Sequence, residues 1–294
     1  MSTIQRDEIP ETLLNHASAG IRDSALTVHG NLQAERLGQY FRDQKITFTH
    51  LVSSNLQRAY KTALALAHAQ FTSQGNEADK VHVTQLPSLR EQDFGFYEGK
   101  PFYTRPRGSN KSGKEEHRSQ HQEDPDFQDV ESKESLALRA DQFLDDYLVP
   151  LLVGADTGED EPVVAVVSHG IMLSSLWRCL LKRFAKNSVT IAPGISVGGG
   201  VTPLEYVGGW SNTGFLELDI EPRPATSVQK SSTGNENTQP MVGDEPQLSE
   251  YKMAIKAVNS KEHLVRLKRT RGVGSSQHDE GQKKIETFFK RPKV

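Results

Sequence analysis

Apolar positions along the chain fall into short strand-like runs that alternate with longer stripes at helical spacing. The clearest run, Val163 to Val167, is wholly apolar, β-branched at nearly every position, and ends abruptly in Ser168-His169-Gly170. A run this short with this composition predicts a strand buried on both faces of a parallel sheet. Ile171 to Leu181 then has helical spacing, which places His169 in the turn between strand and helix. Open α/β sheets bind ligands beyond the carboxyl ends of their strands, and backbone N–H groups at such a turn can face an anion.

The same alternation recurs along the chain. Asp23 to Phe41 starts as a turn and becomes a helix with Leu32, Leu37, Tyr40 and Phe41 on one face. Ile46 to Val52 alternates as a strand. Ser53 and Ser54 then offer N-cap side chains to a helix from about Asn55 to Ala69, striped by Leu56, Tyr60, Ala63, Leu64 and Ala67. Val81 to Leu86 reads as a further strand, Leu136 to Leu152 as an amphipathic helix, and Gly208 to Ile220 as a turn and an edge strand. Residues 1–20 hold no strand-like run. Thr104 to Ser135 is dense in charge and poor in large apolar residues, which predicts a disordered or loosely helical insertion over the pocket. Glu221 to Ser249, rich in Pro, Ser, Thr, Gly and Asn, reads as a linker.

Composition adds an organisation to these elements. The chain of 294 residues suits one substantial α/β domain with extensions, and its hydrophobic share of 35% implies that part of the length stays unpacked. Cys179 is the single cysteine, which excludes an intramolecular disulfide and a cysteine-built metal site. No apolar run approaches a membrane-spanning length and no signal-peptide pattern opens the chain, so a soluble protein of a reducing compartment is expected. From Lys261 to Val294, 10 Lys and Arg face 4 Asp and Glu, so within a net charge of −3 this end carries +6 and the remainder −9. A basic end on an acidic body suggests a tail with its own partner. The expected layout is a domain over 1–220 with a polar insertion at 104–135, a flexible linker over 221–250, and a basic tail over 251–294.

Three residues stand out chemically. Arg58 falls in the first turn of its helix, where a guanidinium beside free N–H groups and the positive helix end suits a phosphate; a plain surface arginine is the competing reading. Glu91 lies in Leu89 to Gly99, among aromatics and glycines, where desolvation would let a carboxyl hold a proton as a general acid must; the alternative is an ordinary polar loop. His169 faces a ligand or is a buried histidine of an ordinary strand-to-helix loop.

Four stretches in order over about 200 residues, roughly Glu11 to Ile220, resemble the histidine phosphatase superfamily in its phosphoglycerate-mutase-like branch. Asp23 to Ala34 is similar to that family's turn and first helix, Ser53 to Ala63 to its phosphate-binding helix, Leu89 to Gly99 to its acid-bearing loop, and Val167-Ser-His-Gly170 to its second histidine motif. The resemblance implies a three-layer α/β/α sandwich around a mostly parallel sheet, without metal or cofactor. It implies that Glu91 and His169 are catalytic, and that Arg58, His169, Asn15 and Gly170 bind phosphate. Its substrates are phosphorylated small molecules or phosphoproteins.

In that family an Arg-His-Gly motif at the end of the first strand supplies a nucleophilic histidine. With Glu11-Thr12 and Asn15 aligned to the family pattern, its place is taken by Glu8-Ile9-Pro10, and Ile9 cannot be phosphorylated. His16 lies too far along to replace it, and His29 belongs to the segment resembling a non-catalytic turn. Three explanations stand: a first strand and nucleophile encoded upstream, a non-catalytic relative that keeps its phosphate pocket, or slow hydrolysis by direct attack of water. The first is favoured, because losing a strand from within a sheet exposes unpaired backbone and apolar neighbours.

The tail carries a motif of its own. Gln282-Lys-Lys-Ile-Glu-Thr-Phe-Phe289 resembles the PIP box, the peptide by which replication and repair proteins dock on the sliding clamp PCNA. One 3₁₀ turn eclipses residues three apart, so Ile285 and Phe288 form an apolar plug with Phe289 beside it and Gln282 at the rim. Lys268-Arg-Thr-Arg271 and Lys290-Arg-Pro-Lys293 resemble nuclear-import signals, while a basic end would contact nucleic acid only weakly. The expected residence is cytoplasmic, nuclear or both.

Overall fold

The computed structural model describes residues 20–71, 81–99, 115, 118, 119, 121–154, 161–195, 204–206, 209–223 and 246–268. Helix α1 (Val28–Asp43) starts where the Thr27 hydroxyl accepts from Gly30 N at 3.0 Å, a side-chain cap. Its core face differs from the expected stripe. His29, Gln33, Ala34, Leu37, Gly38 and Phe41 are buried, whereas Leu32 and Tyr40 are half-buried. Helix α2 (Gln57–Gln70) packs against this face so closely that a Cβ on Gly38 would stand 2.6 Å from Ala65 O and 2.8 Å from Ala69 Cβ. Small residues let the two backbones approach, and that contact turns their side of α1 inward. In α2 the buried positions are likewise Ala59, Thr62, Ala63 and Leu66, with Tyr60, Leu64 and Ala67 less covered.

Strands β1 (His50–Ser54), β2 (Val83–Leu86) and β3 (Val164–Val167) form a parallel sheet in the order β2-β1-β3. β1 begins at His50 rather than Ile46, and Ser53 and Ser54, expected as helix caps, are buried inside it. The Ser54 hydroxyl accepts from Leu56 N at 3.2 Å, and Leu56 itself takes the N-cap position of α2 without a side-chain cap. Side chains alternate across the sheet. Leu51, Ala165 and Val167 face a core shared with Leu37, Phe41 and Leu66, while Val52, Val164 and Val166 face a larger one. That second core is filled from α3 (Lys133–Phe143), which runs through a π-helical stretch, Leu144–Leu148, into α4 (Val149–Gly154), and from α5 (Gly170–Leu181). The result is the expected three-layer α/β/α arrangement.

β3 departs from expectation in one respect. Its four residues are half-buried rather than buried, and among the described residues it is bonded to β1 alone. Fewer neighbours at one edge leave an apolar strand more exposed.

A second sheet, ordered β4-β6-β5, corrects the expected domain boundary. β4 (Val189–Ile191) runs parallel and β5 (Phe215–Pro222) antiparallel to β6 (Tyr251–Ser260). The domain therefore does not end at residue 220, and its continuation does not belong to a linker over 221–250 and a tail from 251. Glu221 and Pro222 lie in β5, Leu248 is fully buried, and β6 is the middle strand of its sheet. Tyr251, Met253 and Ile255 face the core, while Lys252 and Lys256 point outward to Glu221 at 2.7 Å and Asp219 at 3.2 Å on β5. The folded part reaches at least Lys268 among the described residues. The linker-like composition just before β6 conceals its period-two pattern in the sequence.

The expected loose insertion at 104–135 is also partly structured. Phe96 stacks on His121 with ring centroids 5.0 Å apart and meets Phe127 at 5.7 Å, while Phe96 N donates to Gln128 O at 2.8 Å. Residues 121–135 are thus built into the domain by contacts with the Glu91-bearing loop. Among the described residues no helix is long and apolar enough to cross a membrane.

Candidate active site

The sheet register brings three candidate residues together. Ser53 lies beside Val167 and Ser54 beside Leu86, so the three parallel strands end nearly level. Arg58 follows β1, Glu91 follows β2 and His169 follows β3, each within a short turn of its strand. This is the crevice where open α/β sheets place ligands.

His169 is the N-cap residue of α5, extended at φ −125 and ψ 161, and only 7% exposed. Arg58 Nε donates to its Nδ1 at 3.2 Å. Arg58 Nη1 donates to Arg22 O at 2.8 Å and Nη2 to Gly20 O at 2.7 Å. The turn that presents those carbonyls is fixed by Glu98, whose carboxylate accepts from Gly20 N at 3.1 Å and Ile21 N at 2.9 Å, and from Phe94 N at 3.0 Å. A guanidinium only donates, so His169 Nδ1 is an acceptor and the neutral ring carries its hydrogen on Nε2. Nε2 is buried and has no hydrogen-bond partner among the described residues. Burial, then the charges of Arg58 and Arg139, push the His169 imidazole down to about 3, which keeps it neutral near pH 7.

Glu91 is 9% exposed. Its Oε1 accepts from Gln92 N at 3.0 Å and Met172 N at 3.1 Å, and its Oε2 from Ile171 N at 3.3 Å. Burial raises its carboxyl above the usual range, against the pull of these amides and of Arg58. The Arg58 guanidinium is itself lowered by burial, with Glu91, Asp23 and Glu98 opposing. A cavity of about 350 Å³ opens beside Glu91, lined among others by Ile21, Arg90, Asp93, Gln128 and Asp129. Among the described residues no group of His, Cys, Asp and Glu is placed to hold a metal ion.

Of the residues singled out in the sequence, Arg58, Glu91, His169 and Gly170 converge, Gly170 as the first residue of α5. Asn15, the Glu8-Ile9-Pro10 triplet, and Gln282, Ile285, Phe288 and Phe289 lie outside the described residues. Sequence reading missed Glu98, which organises the Gly20 to Arg22 turn. It also missed Asp23 as a partner of Gln57 N at 2.7 Å, and Arg139 with Glu131 behind Glu91. These are contacts between distant segments with no periodic trace, although Glu98 does stand in the acid-bearing stretch.

A profile of the histidine phosphatase superfamily (branch 1) matches residues 10–194. The chain belongs to that superfamily. The match takes in Arg58, Glu91 and His169, and begins after Glu8 and Ile9. The chain is 30% identical over 278 residues to "Probable phosphatase C1620.13" of Schizosaccharomyces pombe, covering 92% of this chain and 73% of that protein. It is 30% identical over 109 residues to "Broad-specificity phosphatase YOR283W" of Saccharomyces cerevisiae, across 37% of this chain and 44% of that protein. Among solved structures it is similar to "Mycobacterial hydrolase 1", with a TM-score of 0.49 at 19% identity over 84% of this chain and 92% of that one.

Proposed function

We propose that this member of the histidine phosphatase superfamily acts on a phosphorylated small molecule, as a phosphatase or phosphomutase that needs no metal. The observation that carries this reading is the meeting of Arg58, the neutral His169 with its buried Nε2–H, unpartnered among the described residues, and the Glu91 carboxyl at one helix terminus. A phosphoryl group set there receives charge from Arg58, a hydrogen bond from His169 Nε2, and the backbone dipoles that open α5 at Gly170, with Asn15 as a further donor. Phosphoryl transfer depends on such positioning and on positive charge at the equatorial oxygens. Glu91, whose carboxyl burial raises above the usual range, protonates the leaving oxygen and then activates water. In this reading the transferred group passes through a phosphohistidine, and the nucleophile-bearing N-terminal segment is absent or altered in this chain, which has Glu8-Ile9-Pro10 at that place. The relatives' names support phosphatase chemistry.

Hydrolysis of an aryl phosphate by the native protein tests the reading. Activity should fall by about 100-fold or more in His169→Ala and Arg58→Met, and undiminished turnover in both would refute it. Mass-spectrometric mapping of N-terminal peptides from the source cells then tells whether an Arg-His-Gly segment precedes Glu11.

A second reading rests on Ile9 standing where a nucleophile is expected and on the spacing of Gln282, Ile285, Phe288 and Phe289. In it the domain is a non-catalytic adaptor that docks on PCNA and resides at least partly in the nucleus. Calorimetry with a peptide of residues 278–294 decides it: no binding to PCNA removes its support.

A further inference from the structure

Behind Glu91 lies an ion pair that the proposed chemistry does not use. Arg139, on α3, and Glu131, just ahead of that helix, form a two-pronged pair: Nε to Oε1 at 2.8 Å and Nη2 to Oε2 at 2.7 Å, with side chains 23% and 11% exposed. Most of the rest of the Arg139 fork is spent on the loop that carries Glu91, and Nη1 also reaches Met172 Sδ at 3.7 Å. Nη1 donates to Ser88 O at 2.8 Å and Arg90 O at 2.9 Å, and Nη2 to Glu91 O at 3.3 Å. Glu131 grips the same loop from its other end. Its Oε2 accepts from Asp93 N at 3.2 Å, its carbonyl accepts from Gln92 Nε2 at 2.7 Å, and its own N–H donates to Asp93 O at 2.8 Å. The remaining carbonyl, Leu89 O, accepts from the hydroxyl of Ser168 at 2.7 Å, the residue before His169. Every residue from Ser88 to Asp93 is therefore tied either to this pair or to the strand end that presents His169.

A buried ion pair gains little net stability, because removing two charges from water costs about as much as their attraction returns. What an arginine fork supplies is geometry: several donors in one plane at fixed angles, which a lysine ammonium cannot reproduce. Here that plane meets one carboxylate and three carbonyls of a single loop. We propose that Arg139, fixed by Glu131, is the positioning residue for Glu91, holding the Ser88 to Asp93 loop so that the Glu91 carboxyl stays against the Ile171 and Met172 amides beside His169. This rests on the reading of Glu91 as the proton donor, but the contact itself can be measured without turnover.

The test is amide NMR of the full chain. Glu91→Gln should move the Ile171 and Met172 amide signals, because an amide side chain offers these two N–H groups one acceptor oxygen where the carboxyl offers two. Arg139→Met and Arg139→Lys should move the Ile171 signal in the same direction, while signals from α1 stay in place; Met172, whose sulfur Arg139 touches, does not enter the comparison. An unmoved Ile171 signal in a folded Arg139 variant overturns the proposal. If both Arg139 variants fail to fold, Glu131→Gln decides, since it keeps the shape of the pair: shifts part-way to those of Glu91→Gln support it, and unmoved signals overturn it. Kinetics give the functional readout. Arg139→Lys should lower kcat on an alkyl phosphate by about 10-fold more than on p-nitrophenyl phosphate, whose leaving group needs little acid assistance, with KM changed less than about two-fold. A wild-type protein that hydrolyses neither substrate refutes the enzymatic reading alone and leaves the amide shifts to decide on Arg139.

Discussion

Glu91 and His169 are organised by the same turn of α5: His169 is its N-cap residue, and the Glu91 carboxyl accepts the amide hydrogens of Ile171 and Met172 at 3.3 and 3.1 Å. A helix N-terminus carries about half a positive charge and free N–H groups. Glu91 takes two of those groups, and His169 presents its Nε2–H at the mouth of the same helix. A carboxyl and an imidazole are thereby held at one place by elements that follow two different strands.

Arg58 should carry much of the affinity for phosphate. Its half-buried guanidinium is held by His169 and two carbonyls, so it is aimed before any ligand arrives. Hydrogen bonds to charged groups contribute about 1.5–3 kcal/mol. Arg58→Met should therefore weaken binding of inorganic phosphate by roughly 10- to 150-fold in calorimetry. Equal affinity in the variant would remove Arg58 from the site.

Acid should destabilise the fold through His169. The ordinary imidazole takes its proton near 6.5 and the folded one near 3, so between those values the unfolded chain holds a proton that the folded chain does not. Stability is thus lost as pH falls from 6.5 toward 3, on the order of 4 kcal/mol when complete. His263, lowered to about 4 by burial, acts with the same sign over 6.5 to 4. Denaturant midpoints across this range should fall less steeply for His169→Asn than for the wild type. Parallel curves would contradict the burial of His169.

Glu91 acts in the opposite direction. Its carboxyl is raised by burial above the ordinary 4.5, so the folded chain holds the extra proton. The associated stability is fully present below 4.5 and lost as pH rises through the folded value. The rate on an alkyl phosphate should decline over that same rise, as the acid loses its proton. Glu91→Gln should abolish this limb and lower the rate by about 100-fold or more. A pH profile unchanged by the substitution would exclude Glu91 as the acid.

Removal of β6 should unfold the domain. Met253 and Ile255 are fully buried in the larger core. Truncating either to Ala should cost about 2–5 kcal/mol, read from urea melts. A chain ending at residue 245 should lack a cooperative transition altogether. A stable 1–245 fragment would show instead that β6 is an accessory.

Much of this protein was determined by its sequence alone, because the relevant patterns are local. The β-branched run into Ser168-His169-Gly170, the strand-to-helix order around Arg58, and the acid among aromatics at Glu91 each lie within about a dozen residues. Side-chain periodicity and the position of a polar residue at a strand end are set at that range. Even β6 was written as an alternation of Tyr251, Met253 and Ile255 with lysines, although the preceding composition concealed it. Tertiary structure alone decided which partners these residues meet. Arg58 reaches the carbonyls of Gly20 and Arg22, Glu98 holds that turn from the far end of the acid loop, and Arg139 grips Glu91's loop from another helix. Such pairings cross tens of residues and leave no periodic mark. They depend on how parallel strands bring their carboxyl ends level, and on the fact that buried donors and acceptors must then find one another.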